Sequence, residues 1–143
     1  MPAWREQGQV TAFVVIMMAA FLAFAGLVYD GGNALAAKTT AIDEAQEAAR
    51  AGAQQINLAA FRATGQVTLD PAAAAAAARA YVAAAGGGAT ATVTAAGDTV
   101  TVQISAVSTT EFLRLFGIPA IHVTGSATAT AETGVTVPAG GGP

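Results

Sequence analysis

The sequence contains no cysteine and a single histidine, His122, among its 143 residues. Disulfides and thiolate metal sites are therefore excluded, and a metal site built from several histidines cannot form. Any nucleophilic triad that uses a histidine would have to use His122. The absence of cysteine leaves the cellular compartment open, so the compartment has to be inferred from other features.

Charge is also scarce, since only 10% of the residues are charged, compared with about 25% in an ordinary soluble domain. The six Lys and Arg residues are scattered and the net charge is −3, so no basic surface for nucleic acid is expected. The glycine clusters lack the strand, Lys and Ser/Thr of a phosphate-binding loop. We therefore expect no nucleic-acid partner, no cofactor and no small-molecule substrate.

The longest feature present is an uncharged run of 20 residues, Val10–Tyr29. As a helix, such a run would be about 30 Å long, which matches the hydrocarbon core of a bilayer. Trp4 and Tyr29 flank it, and aromatic rings of this kind favour the level of the lipid headgroups. The run predicts a single transmembrane helix over residues 10–29.

Two other interpretations of this run remain open. Ala23 and Ala25 form an A-x-A pattern, so a signal peptidase cutting after Ala25 would release a secreted soluble binding module. The run could also be a buried helix of a soluble protein. Residues 26–29 prolong the apolar run beyond the cleavage site, which favours a retained anchor. Arg5 and the amino terminus then predict a cytoplasmic tail over residues 1–9, with the later residues extracytoplasmic.

Beyond the run, residues 30–63 show helical periodicity and predict an extended amphipathic helix. Apolar residues recur every seven positions and form a predicted helix-packing stripe: Phe21, Val28, Leu35, Ile42, Ala49 and Ile56. A narrow stripe with alanines suits close helix packing, either on the protein's own sheet or on other subunits. Gly31 and Gly32 predict a bend or break just past the apolar run, because glycine weakens helices.

Residues 64–131 predict a small outer domain that begins with a second helix. Asp70 is a good N-cap, Pro71 suits the first helical position, and three glycines from Gly86 end the helix. Alternation with a period of two then predicts a hairpin, with an inward row of Val100, Val102, Ile104 and Ala106.

A short helix and a last strand complete this domain. Ser108 and Glu111 form a capping-box pattern, and Gly117 would end the helix. A third strand over residues 120–132 would point Ile121 and Val123 inward, and residues 132–143 predict a flexible tail. The whole pattern predicts an α+β fold: an N-terminal transmembrane helix that continues as an amphipathic helix, a second helix and a small antiparallel sheet of about three strands.

No group of residues points to catalysis. His122 alternates with the inward residues of its strand, so it is expected to face solvent, although an envelope enzyme that uses His122 is an alternative. Asp43, Glu44 and Glu47 lie close together in sequence and indicate a solvated helix face. We predict no catalytic, cofactor-binding or metal-binding residue and a protein that is not an enzyme.

The segment from Gly8 to Gln54, GQVTAFVVIMMAAFLAFAGLVYDGGNALAAKTTAIDEAQEAARAGAQ, resembles the N-terminal region of TadE/TadG-like proteins of bacterial tight-adherence (Flp-type) pilus systems. The similar parts are the glycine before the apolar helix, the membrane-edge motif of Tyr29, Asp30, Gly31 and Gly32, and the acidic and alanine-rich stretch that follows. The resemblance implies a single-pass structural or assembly component, of the minor or pseudo-pilin type, that contacts other pilus or secretion subunits.

In processed members of that family a prepilin peptidase cuts after a glycine, and a glutamate stands fifth beyond the cut. Gly8 is the corresponding candidate processing site, but the fifth residue after it is Phe13. Unprocessed TadG-like members therefore fit this sequence better.

Overall fold

The computed structural model describes residues 4–132, which form three α-helices and a three-stranded sheet. The elements are α1 Trp4–Ala53, α2 Leu58–Thr64, α3 Pro71–Ala85, β1 Thr90–Ala96, β2 Thr99–Thr109, a 3-10 turn Leu113–Phe116 and β3 Ala120–Thr130. The sheet is antiparallel with the order β1-β2-β3. The predicted α+β class, with a long apolar N-terminal helix, is confirmed.

Two compact units divide the described residues. Unit 1 comprises residues 4–36 and 108–121, and unit 2 comprises residues 37–107 and 122–132. The domain boundaries expected at residues 9, 29, 63 and 131 stay predictions. The predicted flexible tail lies outside the described residues from residue 133 onward.

The long helix differs from expectation in two places. Residues 31 and 32 are helical like their neighbours, so the predicted break at these glycines is wrong, and a bend stays a prediction. The cost of about 1 kcal/mol per glycine is too small to interrupt a helix that has favourable residues on both sides.

The second difference is at the end of the amphipathic helix, which does not run to residue 63. α1 ends at Ala53, and Ile56 instead pairs with Leu69 in an isolated β-bridge. Asn57 then caps α2, because its side chain accepts a hydrogen bond from the Ala60 N–H at 3.0 Å. A tertiary backbone pairing and a local cap therefore replace one long helix by two.

Unit 2 has a core made of small side chains. α1 contributes four buried alanines, α3 contributes two alanines and a valine, and the sheet contributes larger aliphatic residues: Ala41, Ala45, Ala48, Ala49, Ala74, Ala78, Val82, Val100, Val102 and Ile104. Three of the four residues predicted for the inward row of β2 are buried, and Ala106 is half-buried. Because alanine buries little area, the backbones have to approach closely for this core to be dry.

Two glycines allow that close approach. A Cβ built on Gly125 of β3 would lie 2.4 Å from both the carbonyl carbon of Ala41 and the amide nitrogen of Ile42 in α1. At Gly52 of α1, an added Cβ would lie 3.0 Å from the carbonyl oxygen of Ala74. At Gly125 a side chain is excluded by backbone atoms, which cannot rotate away, whereas at Gly52 a methyl group would require its neighbours to shift by a few tenths of an ångström.

The capping signals of α3 behave as predicted. The Asp70 side chain accepts hydrogen bonds from the N–H groups of Ala72 at 3.0 Å and Ala73 at 3.1 Å. The helix ends at Gly86, which adopts a positive φ of 73°.

The capping box predicted after β2 is wrong. Ser108 belongs to β2, and the 3-10 turn that begins at Leu113 has no side-chain cap from its own N-cap residue, Phe112. Gly117 does end the turn, with a φ of 85°. The backbone N–H groups of residues 111–113, at the start of the turn, are bound by a carboxylate from α1 instead.

Candidate functional site

Most side chains of the apolar run on α1 are exposed. Val10 to Val28 includes large apolar residues that are 39 to 74% exposed, among them Val15, Ile16, Phe21, Leu22 and Phe24. Consecutive exposed positions from residue 13 to residue 18 cover all sides of the helix, because a turn takes 3.6 residues. By length and composition, this helix is able to cross a membrane, with a mean hydropathy of 2.5 in its apolar window.

Asp30 ends the apolar run and is buried, with only 1% of its surface exposed. Its Oδ1 accepts a hydrogen bond from the N–H of Glu111 at 2.9 Å. Its Oδ2 accepts hydrogen bonds from the N–H of Phe112 at 2.9 Å and of Leu113 at 2.7 Å. One carboxylate therefore holds three successive backbone N–H groups that follow it by about eighty positions in the sequence.

These hydrogen bonds also determine the ionisation of Asp30, which lies one residue beyond Val10–Tyr29. Burial of the carboxyl raises its pKa, but the three N–H donors stabilise the charged form more strongly. The net effect is a pKa of Asp30 below the ordinary aspartate value.

Residues 111–118, called here the 111–118 loop, satisfy most of their remaining backbone N–H groups internally. The N–H groups of Leu115, Gly117 and Ile118 donate to the carbonyl oxygens of Phe112, Arg114 and Leu113, each at 3.1 Å. The base of the loop is closed by Thr110, whose N–H donates to the Pro119 carbonyl and whose hydroxyl donates to the Ile118 carbonyl. The loop is thus a compact, hydrogen-bonded structure.

Aromatic packing fixes the loop on the helix below Asp30. The rings of Tyr29 and Phe112 meet edge to face, with centroids 5.7 Å apart. Phe112 also covers Gly26, where an added Cβ would lie 2.6 Å from the Phe112 Cβ. The absence of a side chain at residue 26 is what lets the ring reach the helix backbone.

An apolar groove of about 600 Å³ lies between the loop and α1 within unit 1. The helix side of the groove is lined by residues between Ala19 and Tyr29, and the loop side by Phe112, Leu113, Leu115 and Phe116. Sequence reasoning placed Asp30 at the membrane edge but missed the loop as its partner. The available signal was the apolar segment FLRLF, which interrupts two strands of strict alternation.

The structure places the remaining predicted residues as follows. In the predicted helix-packing stripe, Phe21, Val28 and Leu35 are exposed. Ile42 and Ile56 are half-buried, and Ala49 is buried. In the membrane-edge motif, Tyr29 and Asp30 contact the loop, whereas Gly31 and Gly32 have no atom within 4 Å of a built Cβ. Gly8 lies in α1. The role of the stripe and the cut at Gly8 stay predictions.

Several titratable side chains outside the Asp30 site lie at the surface. His122 is exposed on β3, and Glu47 pairs with Arg50 at 3.0 Å on the exposed side of α1. Within residues 4–132, no group of three or more His, Asp or Glu side chains is arranged to hold a metal ion.

Comparison with known proteins gives one match. Residues 8–55 match the family described as putative Flp pilus-assembly TadE/G-like. No curated protein and no solved structure matches the chain. The matched segment covers about a third of the chain and contains the apolar run, Asp30 and the first buried alanines of α1. The resemblance seen in Gly8–Gln54 is confirmed, and the matched family is one of pilus assembly rather than of enzymes.

Proposed function

We propose that this chain is a single-pass membrane protein that serves as a structural or assembly component, minor or pseudo-pilin-like, of a Tad/Flp-type pilus or secretion apparatus. Val10–Tyr29 crosses the cell membrane, residues 1–9 are cytoplasmic, and the rest of the chain is extracytoplasmic. The protein acts by packing against other subunits and not by catalysis.

The observation that carries this proposal is the exposure of the apolar run within the segment that matches the pilus-assembly family. A helix with large aliphatic and aromatic residues exposed on all sides is unstable in water, whereas lipid is a suitable environment for it. Unit 2 buries its own core without these residues. The apolar run is therefore available for lipid and for other membrane subunits.

Membrane insertion and orientation are tested by mapping the mature protein in purified membranes. We expect an intact mass that retains Val10–Tyr29, and loss of a carboxyl-terminal tag when protease is added to spheroplasts. A cut after Gly8 would keep the anchor and define the processing. A mature protein that begins at Gly26 would instead establish the released module, and full-length protein in the cytosol would exclude membrane anchoring.

Contact with other subunits is tested by photocrosslinking from the stripe. With p-benzoylphenylalanine at Phe21, we expect adducts to membrane subunits of the pilus apparatus, identified by mass spectrometry. Ile16 is the matched control, because it is 67% exposed compared with 66% for Phe21 and lies about 140° away around the helix. Equal adducts from both positions, or only monomer from Phe21, would contradict a packing role for the stripe.

A further inference from the structure

The 111–118 loop exposes large apolar side chains that take no part in the core of unit 2. Leu115 is 79% exposed and Phe116 is 70% exposed, and Phe112 and Ile118 are about half exposed. Burying one leucine or phenylalanine contributes about 1.5–3 kcal/mol. In water, the free energy of burial would be lost at each of these positions. An apolar environment would therefore stabilise this surface.

The position of the loop on α1 indicates which environment this is. Its side chains line a groove that extends along the helix from Tyr29 back to Ala19. At 1.5 Å per residue, this is a distance of about 15 Å, or half the thickness of a bilayer's hydrocarbon core. With Val10–Tyr29 across the membrane, the apolar tip of the loop therefore lies beside the helix at the depth of the outer leaflet.

Most of the backbone N–H groups of the loop have acceptors within the protein, as that depth requires. In the hydrocarbon region no water is present, so backbone polar groups have to be bonded within the protein. Three N–H groups are bound by Asp30, those of Leu115, Gly117 and Ile118 bind loop carbonyls, and residue 119 is a proline without an N–H. These internal hydrogen bonds lower the cost of placing the loop near hydrocarbon, where water is not available to bind the same groups.

The geometry points to a second membrane contact: the 111–118 loop inserts into the outer leaflet beside α1, and lipid acyl chains fill the groove between them. This inference rests on the proposed membrane-spanning role of Val10–Tyr29. Arg114, within the loop, can extend its guanidinium to the phosphates of the headgroups while its methylene stem stays among the apolar side chains.

Lipid fits this surface better than a protein partner does. A protein interface is a bounded patch with a polar rim. The groove here continues directly onto the exposed apolar surface of α1, where Phe13 to Met18 cover every side of the helix. The groove and the helix surface are continuous, so they lie in the same environment. For the helix, that environment is the acyl region of the bilayer.

The absence of cysteine permits a direct test with single-cysteine variants of the full chain, spin-labelled in phosphatidylcholine nanodiscs. L115C is the test position, I16C reports on the spanning helix, and V107C is a control that is 57% exposed on β2. We expect the label at position 115 to collide with oxygen as the label at position 16 does. Its collisions with a water-soluble nickel chelate should be several-fold fewer than at position 107, because the polar chelate is excluded from hydrocarbon.

The three positions separate the ways in which the inference can fail. If position 115 resembles position 107 while position 16 is lipid-facing, the loop is not inserted and the proposed span of Val10–Tyr29 stands. If position 16 is also open to nickel, both the span and the loop insertion are wrong. If spin–spin broadening shows that a second copy of the chain covers position 115, protein and not lipid fills the groove, and the inference is overturned.

Discussion

G125A is expected to lower the free energy of unfolding by about 3 kcal/mol or more, which could leave unit 2 unfolded. The new Cβ would lie 2.4 Å from the Ala41 carbonyl carbon and the Ile42 nitrogen. These are backbone atoms of a helix, so no rotamer change relieves the clash, and β3 has to move away from α1. Because the core consists mainly of alanines, even a small separation of the two backbones removes most of their contact. Thermal and urea unfolding of the full chain in detergent, followed by circular dichroism, measures the loss.

G32A is the matched control, since it makes the same chemical change in the interior of α1. No atom lies within 4 Å of its built Cβ, and alanine favours a helix over glycine by roughly 0.5–1 kcal/mol. This variant should therefore be slightly more stable than the wild type. If both substitutions had the same small effect, the close approach of β3 and α1 would be wrong.

Asp30→Ala is expected to release the 111–118 loop from α1. The substitution removes the acceptor of three successive backbone N–H groups at once, those of Glu111, Phe112 and Leu113. Buried donors without partners are costly, so the loop should open rather than keep them buried. Hydrogen exchange of these three amides should accelerate by roughly one to two orders of magnitude, measured by mass spectrometry on the full chain in nanodiscs.

Asp43→Ala provides the comparison, because Asp43 is an exposed carboxylate on the same helix and its loss should leave the three amides protected. Acid should act in the same direction as Asp30→Ala. A carboxylate whose pKa is lowered by folding stabilises the fold above its ordinary pKa of about 3.9, and this contribution is lost as the pH falls through the lowered pKa. Unchanged exchange in the Asp30 variant would mean that the carboxylate does not hold the loop.

Replacement of Asp30 would also distinguish two possible roles of this residue in the membrane-edge motif. If Asp30 marked only the point where the chain leaves the bilayer, its replacement by Asn would preserve polarity and have little effect. If Asp30 organises the loop, Asn can accept with one oxygen only and should give partial opening. The structure favours a role in organising the loop, since Asp30 is buried beneath the loop with only 1% of its surface exposed.

The sequence alone determined the features that depend on near neighbours in the chain. The length of Val10–Tyr29 defined the apolar helix, Asp70 and Gly86 defined the ends of α3, and alternation defined the buried row of Val100, Val102 and Ile104. Each of these signals acts over one or two turns or along a single strand, so composition and periodicity were sufficient to detect it.

Only the tertiary structure decided where distant segments meet. The break between α1 and α2 exists because Ile56 pairs with Leu69. Gly125 is required because its strand presses on Ala41, and the carboxylate of Asp30 holds amides about eighty residues later. These contacts involve backbone atoms, which are alike at every position, so side-chain patterns do not specify which distant segments meet. The sequence shows that an apolar helix ends at Asp30, whereas the fold shows what its carboxylate binds.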